Sequence, residues 1–231
     1  MSASDKTFEW YGGYPVQSET GVDLTLLRAN LDRTQEQRLE RHGQAFRFAQ
    51  ELRKSGGLIV AESRPTKDLN ARGLIELLTR NGVEFVLIGG LAMTVHGSAH
   101  ITYDFDIVYK RSAENIDALV NALVAINAYL RGVPPGLPFH IDSRTIQAGL
   151  NFTFVTDMGD VDVLGEISGV GNWEKVVSSS EVRTLYDVPV RVLSVDGLIA
   201  AKKAAGRIKD QLHLLELEEL KKMRDEGQQP G

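Results

Sequence analysis

Two aspartates on alternate positions, Asp104 and Asp106, follow shortly after a glycine pair, Gly89-Gly90. In a strand, residues i and i+2 share a face. The run from Thr102 to Tyr109 alternates, so both carboxylates point one way while Phe105, Ile107 and Tyr109 point the other. Two like charges at such range repel by several kcal/mol at an effective dielectric of about 20, and a divalent cation between them removes the repulsion. The glycine pair ends an apolar, β-branched run from Val83 to Ile88 that reads as a buried strand. Glycine admits positive φ and lets another group approach the backbone closely. Leu91, Ala92, Val95 and His96 follow at helical spacing up to Gly97. The turn therefore opens a helix whose free N–H groups and positive dipole end suit an anion. Phosphate on the glycine turn and a metal on the two carboxylates make one coherent site.

The rest of the chain must position these groups. Its 231 residues, 42% hydrophobic and 25% charged, suffice for one sizeable domain or a domain with a helical extension. With 26 Lys+Arg against 31 Asp+Glu the net charge is −5, which argues against coating nucleic acid by bulk charge but leaves room for a local basic patch. Cysteine is absent, so there is no disulfide and no thiolate metal site. No apolar run reaches the ~18 residues of a membrane span, and the N-terminus lacks a basic-then-apolar pattern. A cytoplasmic protein without a membrane partner is expected.

Residues 1–65 carry no chemical motif and read as a helical N-terminal extension: an aromatic segment to residue 22, a helix capped by Asp23, then one opened by the Thr34/Gln37 capping box and stopped at Gly56-Gly57. Pro65 marks the boundary to the main domain, 66–225. There, helices are expected over 70–81, from Ser112 to Ile126, and from Asp142 to Ala148, with a rigid Gly/Pro loop over 131–138. Leu150–Asp157 and Asp160–Leu164 read as a hairpin, with Asp162 opposite in facing to Val161 and Val163. A second hairpin over 181–193 and two helices, from Val195 and from about Lys209, complete the chain. The fold class is α+β, a small mixed or antiparallel twisted sheet flanked by helices.

The spacing from Gly89-Gly90 to Asp104-Phe105-Asp106 resembles the signature of the polymerase-beta-type nucleotidyltransferase superfamily. Thr102-Tyr-Asp-Phe-Asp, Asn151-Phe-Thr and Ala204-Ala-Gly-Arg-Ile-Lys-Asp210 resemble small bacterial nucleotidyltransferases related to abortive-infection (AbiEii-like) toxins. The resemblance covers roughly residues 70 to 220. It implies an NTP laid on Gly89-Gly90, Mg²⁺ held by Asp104 and Asp106, and a second Mg²⁺ shared with Asp162, for a two-metal in-line displacement. Asp160 has the parity of Asp162 and is the alternative third ligand. In the relatives a Lys or Arg near the last helix junction contacts the triphosphate, which points to Lys202, Arg207 and Lys209, with Asp210 beside them. Where the relatives often carry an arginine before the Thr-x-Asp motif, this chain has His100, able to touch phosphate only when protonated.

The resemblance implies nucleotide transfer from NTP to a macromolecule, tRNA or protein, as in a toxin with an antitoxin partner. Transfer to a small, antibiotic-type acceptor and a non-catalytic nucleotide-binding or antitoxin-like module are the alternatives.

Overall fold

The computed structural model describes residues 10–11, 14–55, 67–133 and 140–227. The expected helix stop at Gly56-Gly57, the boundary at Pro65 and the loop from 134 to 138 lie outside the described residues. The aromatic segment, read within a helical extension, carries a short antiparallel ladder of β1 (Trp10–Tyr11) with β2 (Tyr14–Pro15). Helix α1 (Leu24–Leu31) starts where the Asp23 carboxylate accepts from the Thr25 and Leu26 amides. Helix α2 (Gln35–Ser55) opens with the reciprocal bonds of a capping box: the Thr34 amide donates to Gln37 Oε1, and the Gln37 amide to Thr34 Oγ1.

Helix α3 (Ala71–Arg80) feeds β3 (Phe85–Leu87), α4 (Gly89–His96) and β4 (Asp104–Tyr109). Strand β3 is shorter than the apolar run because both its ends are used elsewhere. The Val83 amide donates to Leu78 O to close α3, and Ile88 caps α4. Helix α5 (Ala113–Ala125) begins at the Ser112 cap; β5 (Tyr129–Leu130), too short to announce itself in sequence, and α6 (Ser143–Ala148) follow. The chain ends with β6 (Asn151–Thr156), β7 (Gly159–Leu164), α7 (Trp173–Ser178), β8 (Ser180–Leu185), β9 (Val188–Leu193), α8 (Val195–Ala205) and α9 (Ile208–Gly227).

Among the described residues, the main sheet is mixed and seven-stranded, in the order β5-β6-β7-β4-β3-β9-β8. Strand β4 pairs antiparallel with β3 and parallel with β7, so it sits at the centre. Phe105, Ile107, Val161 and Val163, all buried, supply the apolar face of these two strands to one continuous core. Helix α4 is buried along nearly its whole length and packs on β4, α2 and α8. No helix among the described residues is long and apolar enough to cross a membrane.

The described N-terminal helices pack onto this body. Leu24 and Leu27 of α1 meet Leu220 of α9, and Leu39 of α2 joins the main core. Arg38 ties the two together: its guanidinium donates to Asn30 O at 2.8 Å, Leu31 O at 3.0 Å and Val95 O at 2.5 Å. Those carbonyls lie in the last turns of α1 and α4, and Asn30 O also accepts from the Arg33 amide at 3.0 Å. A charged donor bonded to a carbonyl contributes about 1.5–3 kcal/mol. Arg38→Met is expected to lower the unfolding free energy by about 2 kcal/mol, read by denaturant midpoint at unchanged m-value.

Candidate active site

The register of β4 against β7 builds the site. Asp104 stands opposite Asp160 and Asp106 opposite Asp162, so two aspartates on each of two adjacent strands form a square on one face. Strands lie about 4.8 Å apart. At that separation two carboxylates repel by about 3 kcal/mol at an effective dielectric of about 20. Asp162 is thus on the same face as Asp104 and Asp106, beside Asp106 rather than across the sheet.

The glycine turn borders this square. Gly89 has φ of +63°, and a methyl group there would collide with the Asp106 carboxylate. Only glycine serves both demands. A methyl on Gly90 would collide with Thr102, so α4 and the start of β4 are packed without room for a side chain. Among the described residues no side chain caps the N-terminus of α4, and its first turn holds no acidic residue. Its leading amides are left for an anionic guest.

Arg131, just past β5, reaches into the square of carboxylates. Its guanidinium pairs with Asp162, lies 3.4 Å from Asp104 Oδ1, and has Nε 3.8 Å from Asp160 Oδ2. One cation does not neutralise four carboxylates. Burial, then the charges of Asp162 and Asp104, push the Asp106 carboxyl up to about 7. Burial, against the pull of Arg131, raises Asp162 to about 6, and burial also raises Asp160. Arg131 Nε and Asp160 Oδ1 are both buried with no hydrogen-bond partner among the described residues.

Among the described residues, no group of three or more His, Cys, Asp or Glu side chains is arranged to ligate a metal ion. The donor set nevertheless suits a hard divalent cation: several carboxylate oxygens, surplus negative charge, and orphaned polar atoms that a cation or its waters would satisfy.

A cavity of about 850 Å³ opens beside the carboxylates, and Gly89, Gly90, Asp104, Asp106, Asp162, Lys202, Arg207 and Lys209 all line it. The residues that sequence reasoning singled out, spread over more than half the chain, therefore converge on one space. Asp160 is not among its lining residues. The basic side is organised by Asp210, which is fully buried. It accepts from Lys202 Nζ at 2.9 Å and from Arg207 Nε at 2.7 Å. These partners overcome its burial and hold it down to about 2.

His100 does not fill the place of a phosphate-binding arginine. Its Nε2 lies 3.0 Å from Nε2 of His213, and burial with the nearby Lys202 and Lys209 charges lowers its pKa, leaving it neutral at pH 7. His96 is fully buried, with Nε2 2.8 Å from Leu193 O and Nδ1 accepting from Arg224.

The sequence signals missed Arg131 and His213. Arg131 falls at the edge of a Gly/Pro-rich stretch with no periodicity. Only the pairing of its amide to Thr153 O, on β6 opposite Asp162, reveals which way it faces.

No protein-family model matches the chain, and no curated protein matches it. Among solved structures, a lincomycin-bound lincosamide antibiotic adenylyltransferase, LnuA, aligns at 12% identity and a TM-score of 0.46, covering 66% of this chain and 98% of that one. A Thermotoga maritima protein described as a nucleotidyltransferase aligns at 14% identity and a TM-score of 0.39, covering 67% of this chain and 88% of that one. Likenesses this distant decide nothing about function, which has to be read from the site's own residues.

The raised carboxyls give a pH signature. The native state holds the Asp106 proton more tightly than the unfolded chain, whose aspartates titrate near 3.9. Stability from this group is therefore full below about pH 4 and is lost as pH rises through about 7. Metal-free Asp106→Asn is expected to melt with wild type near pH 4 and several degrees above it at pH 8, the gap opening between; scanning calorimetry across that range checks it.

Proposed function

We propose that the chain is a metal-dependent nucleotidyltransferase that moves a nucleotidyl group from an NTP to an acceptor hydroxyl. The observation that carries this reading is the in-register pair Asp106–Asp162 beside the Gly89 turn, facing a cavity whose other wall holds Lys202, Arg207 and Lys209. Asp104, Asp106 and Asp162 would hold Mg²⁺, in two ions, through the hard oxygen donors that ion prefers. When bound, the metal supplies activation of the attacking hydroxyl and neutralisation of the departing pyrophosphate.

The chain's own residues do the rest. The uncapped amides of α4 bind phosphate oxygens at the Gly89-Gly90 turn. Lys202 and Arg207, steadied by Asp210, take the charge of the triphosphate. Asp162, in register with Asp106 and lining the cavity, would orient the acceptor hydroxyl and take its proton. The acceptor oxygen bonds to the α-phosphorus, the bond to the bridging oxygen breaks, and pyrophosphate leaves on the opposite side. Arg131 balances the carboxylates before the metal and nucleotide arrive.

A macromolecular acceptor, tRNA or protein, is supported by the corner between α8 and α9. Residues 203–209 are all exposed, and Arg207 and Lys209 line the cavity. Ile208 and Leu212 are exposed beside them. A projecting basic and apolar corner suits a large partner better than an enclosed small-molecule pocket. A growth-inhibiting toxin role, with an antitoxin partner, rests on the sequence resemblance alone.

Incubation with each labelled NTP, Mg²⁺ and cell extract tests the proposal. Label is expected on a macromolecule resolved by gel, and Asp104→Asn is expected to reduce it about 100-fold or more, since losing a metal ligand removes several kcal/mol at about 1.4 kcal/mol per tenfold. Label found only on small acceptors after thin-layer separation would favour the antibiotic-type alternative. NTP binding without any transfer would favour the non-catalytic module.

A further inference from the structure

The segment joining α4 to β4 delivers Asp104, and residues 100–104 line the cavity. It has no ladder of its own, so its backbone must be held by side chains. On one side α9 does this. Glu216 accepts from the Ala99 amide at 2.8 Å and from Ser98 Oγ at 2.9 Å. On the other side the holder is α2, from the N-terminal region that carries no motif. The Thr102 amide donates to His42 Nε2 at 2.8 Å, and the Tyr103 ring packs on Phe46 with centroids 5.1 Å apart. Thr102 in turn abuts Gly90, where a methyl group would collide with it. The contacts run unbroken from His42 through Thr102 to the glycine turn, and Asp104 lies two residues beyond Thr102.

We propose that His42 is a positioning residue for nucleotide transfer, fixing the Thr102 backbone so that Asp104 and the Gly89-Gly90 turn keep their relative placement. This rests on the nucleotidyltransferase reading. His42 is 7% exposed, and burial keeps its ring neutral. With the Thr102 amide donating to Nε2, the ring proton is on Nδ1. The N-terminal helices are then part of the working site, and not a detachable extension.

Glutamine places a polar atom where histidine carries Nε2, so His42→Gln can restore the acceptor that His42→Ala removes. Small misplacements at a reacting centre cost large factors in rate. His42→Ala is expected to remain folded, to lose protection of the Thr102 amide in hydrogen exchange, and to transfer label about tenfold more slowly with KM for NTP changed by less than about threefold. Across wild type, His42→Ala, His42→Gln and His42→Asn, the rate is expected to follow Thr102 protection. A rate that does not follow it, or His42→Ala labelling as fast as wild type, overturns this proposal while leaving the enzyme reading intact. Wild type that labels nothing overturns both.

Discussion

Four carboxylates on two neighbouring strands, held in direct register, are the constraint around which this structure is arranged. A sheet gives each residue a partner at fixed spacing, so once β4 and β7 pair with Asp106 beside Asp162, repulsion is built in. No group among the described residues relieves it fully. Arg131 contributes one positive charge, and Lys202 acts across the cavity, yet burial and mutual repulsion still push Asp106 up to about 7. A protein selected for stability alone would place neutral side chains there. Strongly shifted carboxyls gathered beside a cavity mark a candidate functional site, and under the proposed function a bound cation would supply the balancing charge.

The surrounding elements keep that square in place. Phe105, Ile107, Val161 and Val163 anchor the opposite faces of the same strands in the core, so the carboxylates cannot turn away without unpacking it. Gly89 brings the start of α4 against Asp106 because it has no side chain to obstruct the approach. Asp210 gathers Lys202 and Arg207 on the other wall, so two cations that would otherwise sample solvent stand ready at the cavity. Both chain ends contribute: α2 and α9 hold the connection into β4 from either side.

Much of this was legible in the sequence because strands and helices write their periodicities plainly. Alternation gave the facing of Asp104, Asp106 and Asp162. The helix starts at Asp23, Ser112 and Asp142 all accept from backbone amides in the structure. The alternation also put Asp160 on the right face, but only the pairing with β4 shows that it stands opposite Asp104. What stayed hidden depends on contacts between distant segments. Arg131 follows a two-residue strand with no pattern of its own, and His42 sits on a helix whose stripe reads as ordinary packing. The pairing of His100 with His213 spans residues 100 to 213 and leaves no local trace. Residue type and spacing located the chemistry; tertiary placement alone supplies the groups that tune it.

The central claim is that a divalent cation is the charge this array lacks. Calorimetric titration of Mn²⁺ into the metal-free protein at pH 6.5, in buffers of different ionisation enthalpy, tests it most directly. The account predicts specific binding with release of about one proton, because a carboxyl poised near neutrality must ionise to coordinate, and loss of both in Asp106→Asn. Binding without proton release, or of equal strength in Asp106→Asn, would contradict it.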